Sequence, residues 1–315
     1  MRILPENWQE EYLEINGIKE YLLHVKSNAS APVLLYIHGG PGSSETCLSH
    51  IIADGIENEY TLVFYDQRGC GYTYGANKKV SPTIQELQSD LLETVLYLKK
   101  KYNRDKIGIV GHSFGSVLGL LFAAEHPEHV AFYVGANQVI DFYENELVGY
   151  DKLCKAVNQS NNKKAALALK KIGQYPSKIF DRKFQIQLGK VRRLQGRLGL
   201  AVNSNNVLKA YKSSPLYRPS LLKPMLMAMK VNKNIFPEMW KISLKNYSEF
   251  QVPVYFILGD KDWQAPYNLA ADYLDGILAP KKKSYIIENS GHFSSQDNPV
   301  MYKAAMTDIL KEAAL

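Results

Sequence analysis

Cysteine is scarce in this 315-residue chain, and long apolar runs are missing. The three cysteines, Cys47, Cys70 and Cys154, are odd in number and lack metal-ligand spacing, which argues against a disulfide framework or a metal site and favours the reducing cytoplasm. No stretch approaches the roughly 18 apolar residues that a membrane-spanning helix needs. The first seven residues are too few and too polar for a signal-peptide core. With 46% hydrophobic and 22% charged residues, the composition is that of an ordinary globular protein.

Acidic residues are scarce in one part of the chain. Residues 151–246 carry 21 Lys and Arg but only three acids, Asp151, Asp181 and Glu238, whereas the remainder carries 17 bases and 28 acids. A surface of one sign can steer an anionic substrate or attract an anionic surface. No recognition motif for nucleic acid accompanies this charge, so nucleic-acid binding is not expected.

Apolar, strand-like runs alternate with helical patterns at both ends of the chain. The hairpin signal Asn16-Gly17 comes first, and buried-strand runs follow at Val33–Ile37, Leu62–Tyr65, Lys106–Val110, Val130–Gly135, Val254–Leu258 and Ser284–Glu288. This pattern predicts an α/β fold with a mostly parallel central sheet and helices on both faces. The absence of internal repeats excludes a solenoid.

The alternation stops near Asp141 and resumes near Val252. We therefore predict a core domain of residues 1–140 and 247–315, with a strongly basic helical cap of residues 141–246 inserted into it. Within this cap, Leu222, Met225 and Met229 recur at helical spacing and are predicted to be packing residues, with flexible methionines that face the substrate pocket as the alternative.

The sequence Gly111-His112-Ser113-Phe114-Gly115 lies between a strand-like run and a helical run. In this context a G-x-S-x-G pattern predicts a sharp turn that exposes the serine hydroxyl, with small residues needed on either side. Serine is a weak nucleophile, so Ser113 requires a histidine as base and a carboxylate to orient that histidine. His112 adjoins the serine but is expected to support the site, because its side chain should point away from the hydroxyl.

Suitable partners follow in the order carboxylate, then histidine, each just beyond a predicted strand. His292 is the favoured base. Asp262 is the favoured acid, with Asp260 and Asp141 as alternatives. The residue after the nucleophile, Phe114, is expected to supply one backbone N–H of an oxyanion hole. The other should come from the glycine-rich loop His38-Gly39-Gly40-Pro41-Gly42, where Gly39 is also a candidate substrate-binding residue.

Three motifs together carry a family resemblance: His38–Gly42, Asp66-Gln67-Arg68-Gly69-Cys70-Gly71 and Gly111–Gly115. They resemble the proline iminopeptidase branch of the α/β-hydrolases. The resemblance implies Ser113 as nucleophile, Asp262 and His292 as its partners, and the N–H groups of Gly40 and Phe114 as the oxyanion hole. It also implies that Asp66 and Arg68 form an internal ion pair that braces the site loops.

An iminopeptidase must hold the α-ammonium group of its substrate, for which the family uses cap carboxylates. The basic cap offers few of these, and Glu144, Glu146 and Glu238 are the candidates, with a helix-surface position as the alternative for each. The sequence therefore predicts a serine hydrolase that cleaves an ester, amide or peptide bond of a small molecule or short peptide without metal or cofactor. A carboxylesterase or amidase for neutral or anionic substrates is the alternative, and a non-catalytic ligand receptor is the alternative from another class.

Overall fold

The computed structural model of the protein describes residues 3–28, 30–77, 79–198 and 204–313. Within these residues, one sheet contains the strands β1 (Trp8–Ile15), β2 (Ile18–Val25), β3 (Val33–Ile37), β4 (Thr61–Asp66), β5 (Ile107–His112), β6 (Val130–Ala136), β7 (Val254–Gly259) and β8 (Lys282–Ile287). Their order across the sheet is β1-β2-β4-β3-β5-β6-β7-β8. The β1–β2 and β2–β4 pairs are antiparallel, and the pairs from β4 to β8 are parallel. The predicted α/β fold is confirmed.

Helices lie on both faces of this sheet and in one long insertion. They are α1 (Ser49–Ile52), α2 (Gly71–Ala76), α3 (Ile84–Tyr102), α4 (Phe114–Glu125), α5 (Phe142–Gln159), α6 (Lys163–Lys170), α7 (Arg182–Arg197), α8 (Ser204–Ser213), α9 (Leu222–Val231), α10 (Ile235–Met239), α11 (Tyr267–Gly276), α12 (Ser294–Asp297) and α13 (Pro299–Ala313). Helices α5 to α10 all fall between β6 and β7, where the sequence pattern predicts an insertion.

Strand β3 shows how the sheet divides the core. All five of its residues are buried, as expected for a central strand covered on both faces. Because side chains alternate across a strand, Val33, Leu35 and Ile37 join a cluster with α3, α4 and α11. Leu34 and Tyr36 face the opposite cluster, which includes α1 and α13.

The insertion has a small apolar core of its own. Phe184 of α7 packs its ring against Tyr175 and Trp240, and Leu153 of α5 is fully buried in the same cluster. The division of the chain into two domains stays a prediction, and we call residues 141–246 the helical insertion.

The prediction that Leu222, Met225 and Met229 are packing residues is wrong, whereas the alternative of a pocket-facing methionine agrees with Met225, which lines a cavity of the protein. Their exposed fractions are 41%, 39% and 55%. Helix α9 instead packs inward through the opposite face, which carries Pro224, Ala228 and Val231. Helical spacing identifies a continuous apolar face, but it does not show what that face contacts.

Candidate active site

Ser113 lies in a strained turn between β5 and α4. Its backbone has φ 54° and ψ −121°, a region that residues with a side chain rarely adopt. The turn is possible because its neighbours are small. A Cβ on Gly115 would lie 2.2 Å from the carbonyl oxygen of Ile37, and one on Gly111 would lie 2.5 Å from the carbonyl oxygen of Gly115. This packing holds the serine at the carboxyl end of the sheet.

The structure brings Ser113, His292 and Asp262 together. The Ser113 Oγ lies 2.8 Å from His292 Nε2, and His292 Nδ1 lies 2.8 Å from Asp262 Oδ2. Asp262 follows β7 and His292 follows β8, so the ends of neighbouring strands deliver the three side chains to one place. A proton can pass from the hydroxyl to the imidazole while the carboxylate stabilises the charge that forms.

The Asp262 carboxylate is fully engaged. Its Oδ1 accepts hydrogen bonds of 2.9 Å from the amides of Gln264 and Ala265, and its Oδ2 accepts one of 2.9 Å from Asn137 Nδ2. Burial by itself would raise the pKa of Asp262, but the charge and hydrogen bond of His292 together with these donors outweigh it and lower the pKa. The carboxylate is therefore ionised and can only accept a hydrogen bond from His292 Nδ1, which leaves Nε2 to face the serine.

The two alternative acids have other partners. Asp260 accepts a hydrogen bond of 2.9 Å from the amide of Ser290 and so shapes the loop before His292. Asp141 caps the N-terminus of α5, where its Oδ1 accepts from the amide of Glu144 at 2.9 Å. Of the three candidates, Asp262 is the one whose carboxylate meets His292.

Two backbone amides beside Ser113 are placed to receive a negative charge. Phe114 is the first residue of α4, so its N–H has no acceptor within the helix. Gly40 has φ 126°, and a Cβ there would lie 2.4 Å from the Gly42 nitrogen, so this position requires glycine. Among the described residues, neither amide donates a hydrogen bond to the protein.

A buried ion pair joins the glycine-rich loop to the loop of His292. His112 Nδ1 lies 2.8 Å from Glu45 Oε1, and His112 Nε2 lies 2.7 Å from the carbonyl oxygen of His292. Glu45 also accepts from the Gly39 amide at 3.0 Å and from the Tyr36 hydroxyl at 2.8 Å. The sequence suggested a supporting role for His112, but it did not suggest Glu45.

The two nitrogens of His112 both donate. A carbonyl oxygen can only accept, and Glu45 is ionised because His112 and the Gly39 amide lower its pKa against the opposing effect of burial. Burial alone would lower the pKa of His112, yet the charge and hydrogen bond of Glu45 raise it. His112 is thus an imidazolium that fixes the main chain at His292.

Glu45→Gln is expected to destabilise the protein by about 3 kcal/mol near neutral pH, because it breaks a buried ion pair. A raised folded-state pKa means that His112 contributes its full stability below the unfolded value of 6.5 and loses it as the pH rises through the folded value. The free energy of unfolding, measured by urea denaturation, should therefore fall between neutral and alkaline pH in the wild type. It should fall less in Glu45→Gln.

Glu144→Gln is the matched control, since its carboxylate pairs with Lys245 at the surface, where an ion pair contributes about 0–1 kcal/mol. If the free energy of unfolding fell by the same amount between neutral and alkaline pH in Glu45→Gln and in the wild type, the assignment of a positive charge to His112 would be contradicted.

The implied pair of Asp66 and Arg68 does not form. Arg68 instead makes a two-pronged contact with Asp90 of α3, with Nε–Oδ2 2.7 Å and Nη2–Oδ1 2.9 Å. Asp66 is buried and accepts from the Thr46 hydroxyl at 2.5 Å and the Tyr72 amide at 2.6 Å. Both residues do hold loops near the site, Arg68 through Asp90 and Asp66 through Thr46 and the nearby Tyr72 amide.

Cys70 lies in the same region and is fully buried. Its Sγ is 3.0 Å from His38 Nε2, and burial raises the pKa of the thiol well above its usual range. A buried thiol of this kind is a poor nucleophile.

The structure pairs Glu146 with a base of the insertion. Arg192 and the Tyr175 hydroxyl both donate to its carboxylate, and the Glu146 side chain is largely buried. Among the described residues that line the cavity over Ser113, Glu146 is not found.

Glu144 and Glu238 are also bound elsewhere. Lys245 Nζ lies 2.5 Å from Glu144 Oε1, and the Ile84 amide at the start of α3 donates to Glu238 Oε2 at 3.0 Å. Neither is among the described residues that line the cavity. The structure thus leaves all three proposed ammonium-binding carboxylates with other partners.

A cavity of about 320 Å³ opens above Ser113. The core contributes Gly39, Gly40, Gly42, Ser43, Ser44, Glu45, His112, Ser113, Gln264, His292 and Phe293, and the insertion contributes Val207, Tyr211, Met225 and Ala228. Gly39, the candidate substrate-binding residue, therefore lies in the wall of this cavity. Among the described lining residues, Glu45 is the single carboxylate, and its charge is balanced by His112.

A sequence model described as the alpha/beta hydrolase fold matches residues 32–299, which is most of the chain. This chain belongs to the α/β-hydrolase family. The match runs from just before β3 to the start of α13, so it includes Ser113, Asp262, His292 and the whole insertion. The recognition made from the three motifs is confirmed.

Named relatives of this α/β-hydrolase extend over nearly its whole length. It is 26% identical over 304 residues to a protein of Bacillus subtilis named "Probable aminopeptidase YbaC", covering 92% of each chain. It is 22% identical over 321 residues to a proline iminopeptidase of Heyndrickxia coagulans, covering 96% of this chain and 99% of that one. The crystal structure of the Mycobacterium smegmatis proline iminopeptidase superposes with a TM-score of 0.70 at 14% identity, covering 97% of this chain and 98% of the other. These relatives support the proline iminopeptidase-like branch.

None of the described helices combines the length and the apolar character needed to cross a membrane. In the same part of the chain, no three His, Cys, Asp or Glu side chains come together as ligands for a metal ion.

Proposed function

We propose that this α/β-hydrolase is a serine hydrolase that works through an acyl-enzyme. The observation that carries the proposal is the contact of Ser113 Oγ with His292 Nε2 at 2.8 Å, on an imidazole whose other nitrogen meets Asp262 at 2.8 Å. The cavity over Ser113 gives a substrate access to this hydroxyl.

The substrate carbonyl oxygen would lie between the amides of Gly40 and Phe114, which stabilise the negative charge of the tetrahedral intermediate. Ser113 attacks the carbonyl carbon while its proton passes to His292, and Asp262 stabilises the imidazolium. His292 then protonates the leaving group, whose departure leaves the acyl group on Ser113. A water molecule gives its proton to His292 and attacks the ester, and Ser113 recovers its proton as the acid leaves.

The first candidate substrate is a peptide with a free N-terminal proline or another small residue, which would be released. This candidate is supported by the names of the relatives that cover most of the chain, an aminopeptidase and a proline iminopeptidase. The cavity of about 320 Å³ is at the lower end of the range for ligand pockets, which favours a small substrate.

The second candidate substrate is an ester or amide without a free amine. This candidate is favoured because Glu144, Glu146 and Glu238 all have other partners. A buried ammonium group needs an unpaired carboxylate to offset its desolvation. Glu45 is the acid that lines the cavity among the described residues, and it already pairs with an imidazolium.

Three substrates separate these candidates: a prolyl arylamide, its N-blocked form and a short-chain aryl ester. An aminopeptidase cleaves the free-amine substrate and loses activity when the amine is blocked. An esterase or amidase prefers the other two. Multiple turnover of any of the three substrates contradicts the receptor alternative. If purified protein turned over none of them, both candidates would be contradicted.

The helical insertion is proposed to act as a cap, because four of its residues line the cavity above Ser113. A cytoplasmic location belongs to the same proposal. It is supported by Cys47, Cys70 and Cys154, which are free thiols in the structure.

A further inference from the structure

Helix α9 is apolar on its buried face and also on the face that is turned outward. Leu222, Met225, Leu226 and Met229 follow the i, i+3, i+4, i+7 spacing of one helix face, and their exposed fractions are 41%, 39%, 84% and 55%. We call these four residues the α9 stripe. Apolar side chains scattered singly over a surface are normal, whereas a contiguous stripe of this kind marks a surface that binds something.

Lysines flank the α9 stripe. At 100° per residue, Lys223 and Lys230 lie side by side along one edge of the stripe, and Lys233 follows just after the helix. All three side chains are exposed, and among the described residues none of them forms an ion pair. The nearest packed elements, α2 and the turn before α9, contain no acidic residue. The positive charge beside the stripe is therefore not neutralised locally.

The same helix forms part of the wall of the candidate active site. Met225 and Ala228 line the cavity over Ser113. On its other side, α9 and α2 border a mostly apolar groove of about 700 Å³ lined in part by Tyr74, Leu222, Lys223 and Leu226. The stripe, the groove and the cavity thus share one helix.

We propose that the α9 stripe docks on an anionic lipid bilayer, with its apolar side chains at the level of the headgroups and its lysines on the lipid phosphates. An exposed apolar face bordered by lysines is the pattern of helices that lie in a membrane interface. The excess of bases over acids in residues 151–246, 21 against three, adds long-range attraction to such a surface. Docking in this way brings the wall of the Ser113 cavity to the lipid.

A second copy of the chain fits this surface less well. A two-fold dimer in which the two α9 helices run antiparallel would place the same basic edge of both copies together. Lys223 and Lys230 of each copy would then repel those of the other, whereas an anionic membrane has the complementary charge.

The test is sedimentation of the full chain with vesicles of equal parts phosphatidylcholine and phosphatidylglycerol, compared with phosphatidylcholine alone. We expect binding to the anionic vesicles at low salt and its loss in about 0.5 M NaCl, where surface charge is screened. Lys223→Glu/Lys230→Glu should weaken partitioning at least about 25-fold, since each lysine near such a surface contributes about fivefold and the introduced glutamates add repulsion. Leu226→Asp should weaken it about tenfold or more through lost apolar burial.

The matched controls alter equally exposed residues elsewhere in the insertion. Lys163→Glu/Lys164→Glu on α6 makes the same change of charge, and Ile179→Asp replaces a side chain that is 71% exposed. If α9 is the docking element, both variants should bind within about threefold of the wild type. This allowance covers the weaker long-range attraction that follows from the lower net charge of the α6 variant. Circular dichroism of every variant establishes that it is folded.

Three results would overturn the proposal. One is a wild-type protein that does not sediment with anionic vesicles at low salt. Another is equal loss of binding in the α6 and α9 charge variants, which would assign the attraction to net charge alone. The third is a dimer, seen by sedimentation velocity, that Leu226→Asp dissociates while vesicle binding is unaffected. Because no substrate is present, these outcomes are independent of the proposed chemistry.

Discussion

Ser113→Ala is expected to lower kcat/KM by about 10⁴-fold or more on any substrate that the wild type turns over. The Ser113 hydroxyl is 2.8 Å from His292 Nε2 in a turn with φ 54°, and a methyl group can neither give up a proton nor attack a carbonyl. Residual hydrolysis would come from the oxyanion hole and from substrate binding. The measurement is initial rate against substrate concentration for freshly purified wild type and variant.

Thermal unfolding provides the control for this variant. The change removes one oxygen atom and leaves the turn in place, so the melting temperature should stay within a few degrees of the wild type or rise, as it does when a strained catalytic residue is simplified. Full activity in a folded Ser113→Ala protein would contradict the mechanism. The unfolding curve also shows whether an inactive Ser113→Ala protein has lost only its nucleophile or its fold as well.

Asp262→Asn is expected to lower kcat by about 10⁴-fold without altering the fold. Two backbone amides of its own loop donate to Oδ1 at 2.9 Å, so the oxygen of an asparagine stays on that side. Its NH₂ group then faces His292 Nδ1, which must become an acceptor. The imidazole proton moves to Nε2, and that nitrogen can no longer accept the proton of Ser113.

Asp260→Asn is the matched control, because Asp260 is two residues away and its Oδ1 accepts from the Ser290 amide at 2.9 Å, as an asparagine oxygen can also do. Its kcat should remain within about fivefold of the wild type. Steady-state kinetics on both variants distinguish Asp262 from Asp260, two of the three candidate acids in the sequence. An active Asp262→Asn with an inactive Asp260→Asn would contradict the assignment.

Much of the fold could be predicted from local patterns. A run such as Val33–Ile37 is short, apolar and followed closely by glycines, and these features do not depend on the strand's neighbours in the sheet. The turn around Ser113 was likewise predictable, since Gly111 and Gly115 are required by the backbone itself. The order of the candidate acid and base along the chain follows from the order of β7 and β8.

The partners across the fold were not predictable in the same way. Arg68 pairs with Asp90 rather than Asp66, and Glu45 pairs with His112, 67 residues away. Such contacts depend on how loops from different strands meet. A single sequence does not show which residues that are far apart along the chain will form a pair. Asn137, which donates to Asp262, could have been suspected only from its place after β6.

The covalent labelling of Ser113 tests the central claim most directly. A fluorophosphonate reacts with a serine hydroxyl only when a neighbouring base activates it, and it requires no knowledge of the substrate. We expect a single adduct for each wild-type chain, located at Ser113 by peptide mass spectrometry. The adduct should be absent in Ser113→Ala and should form much more slowly in His292→Ala. A wild-type protein that stays unlabelled, or an adduct on another residue, would contradict this claim.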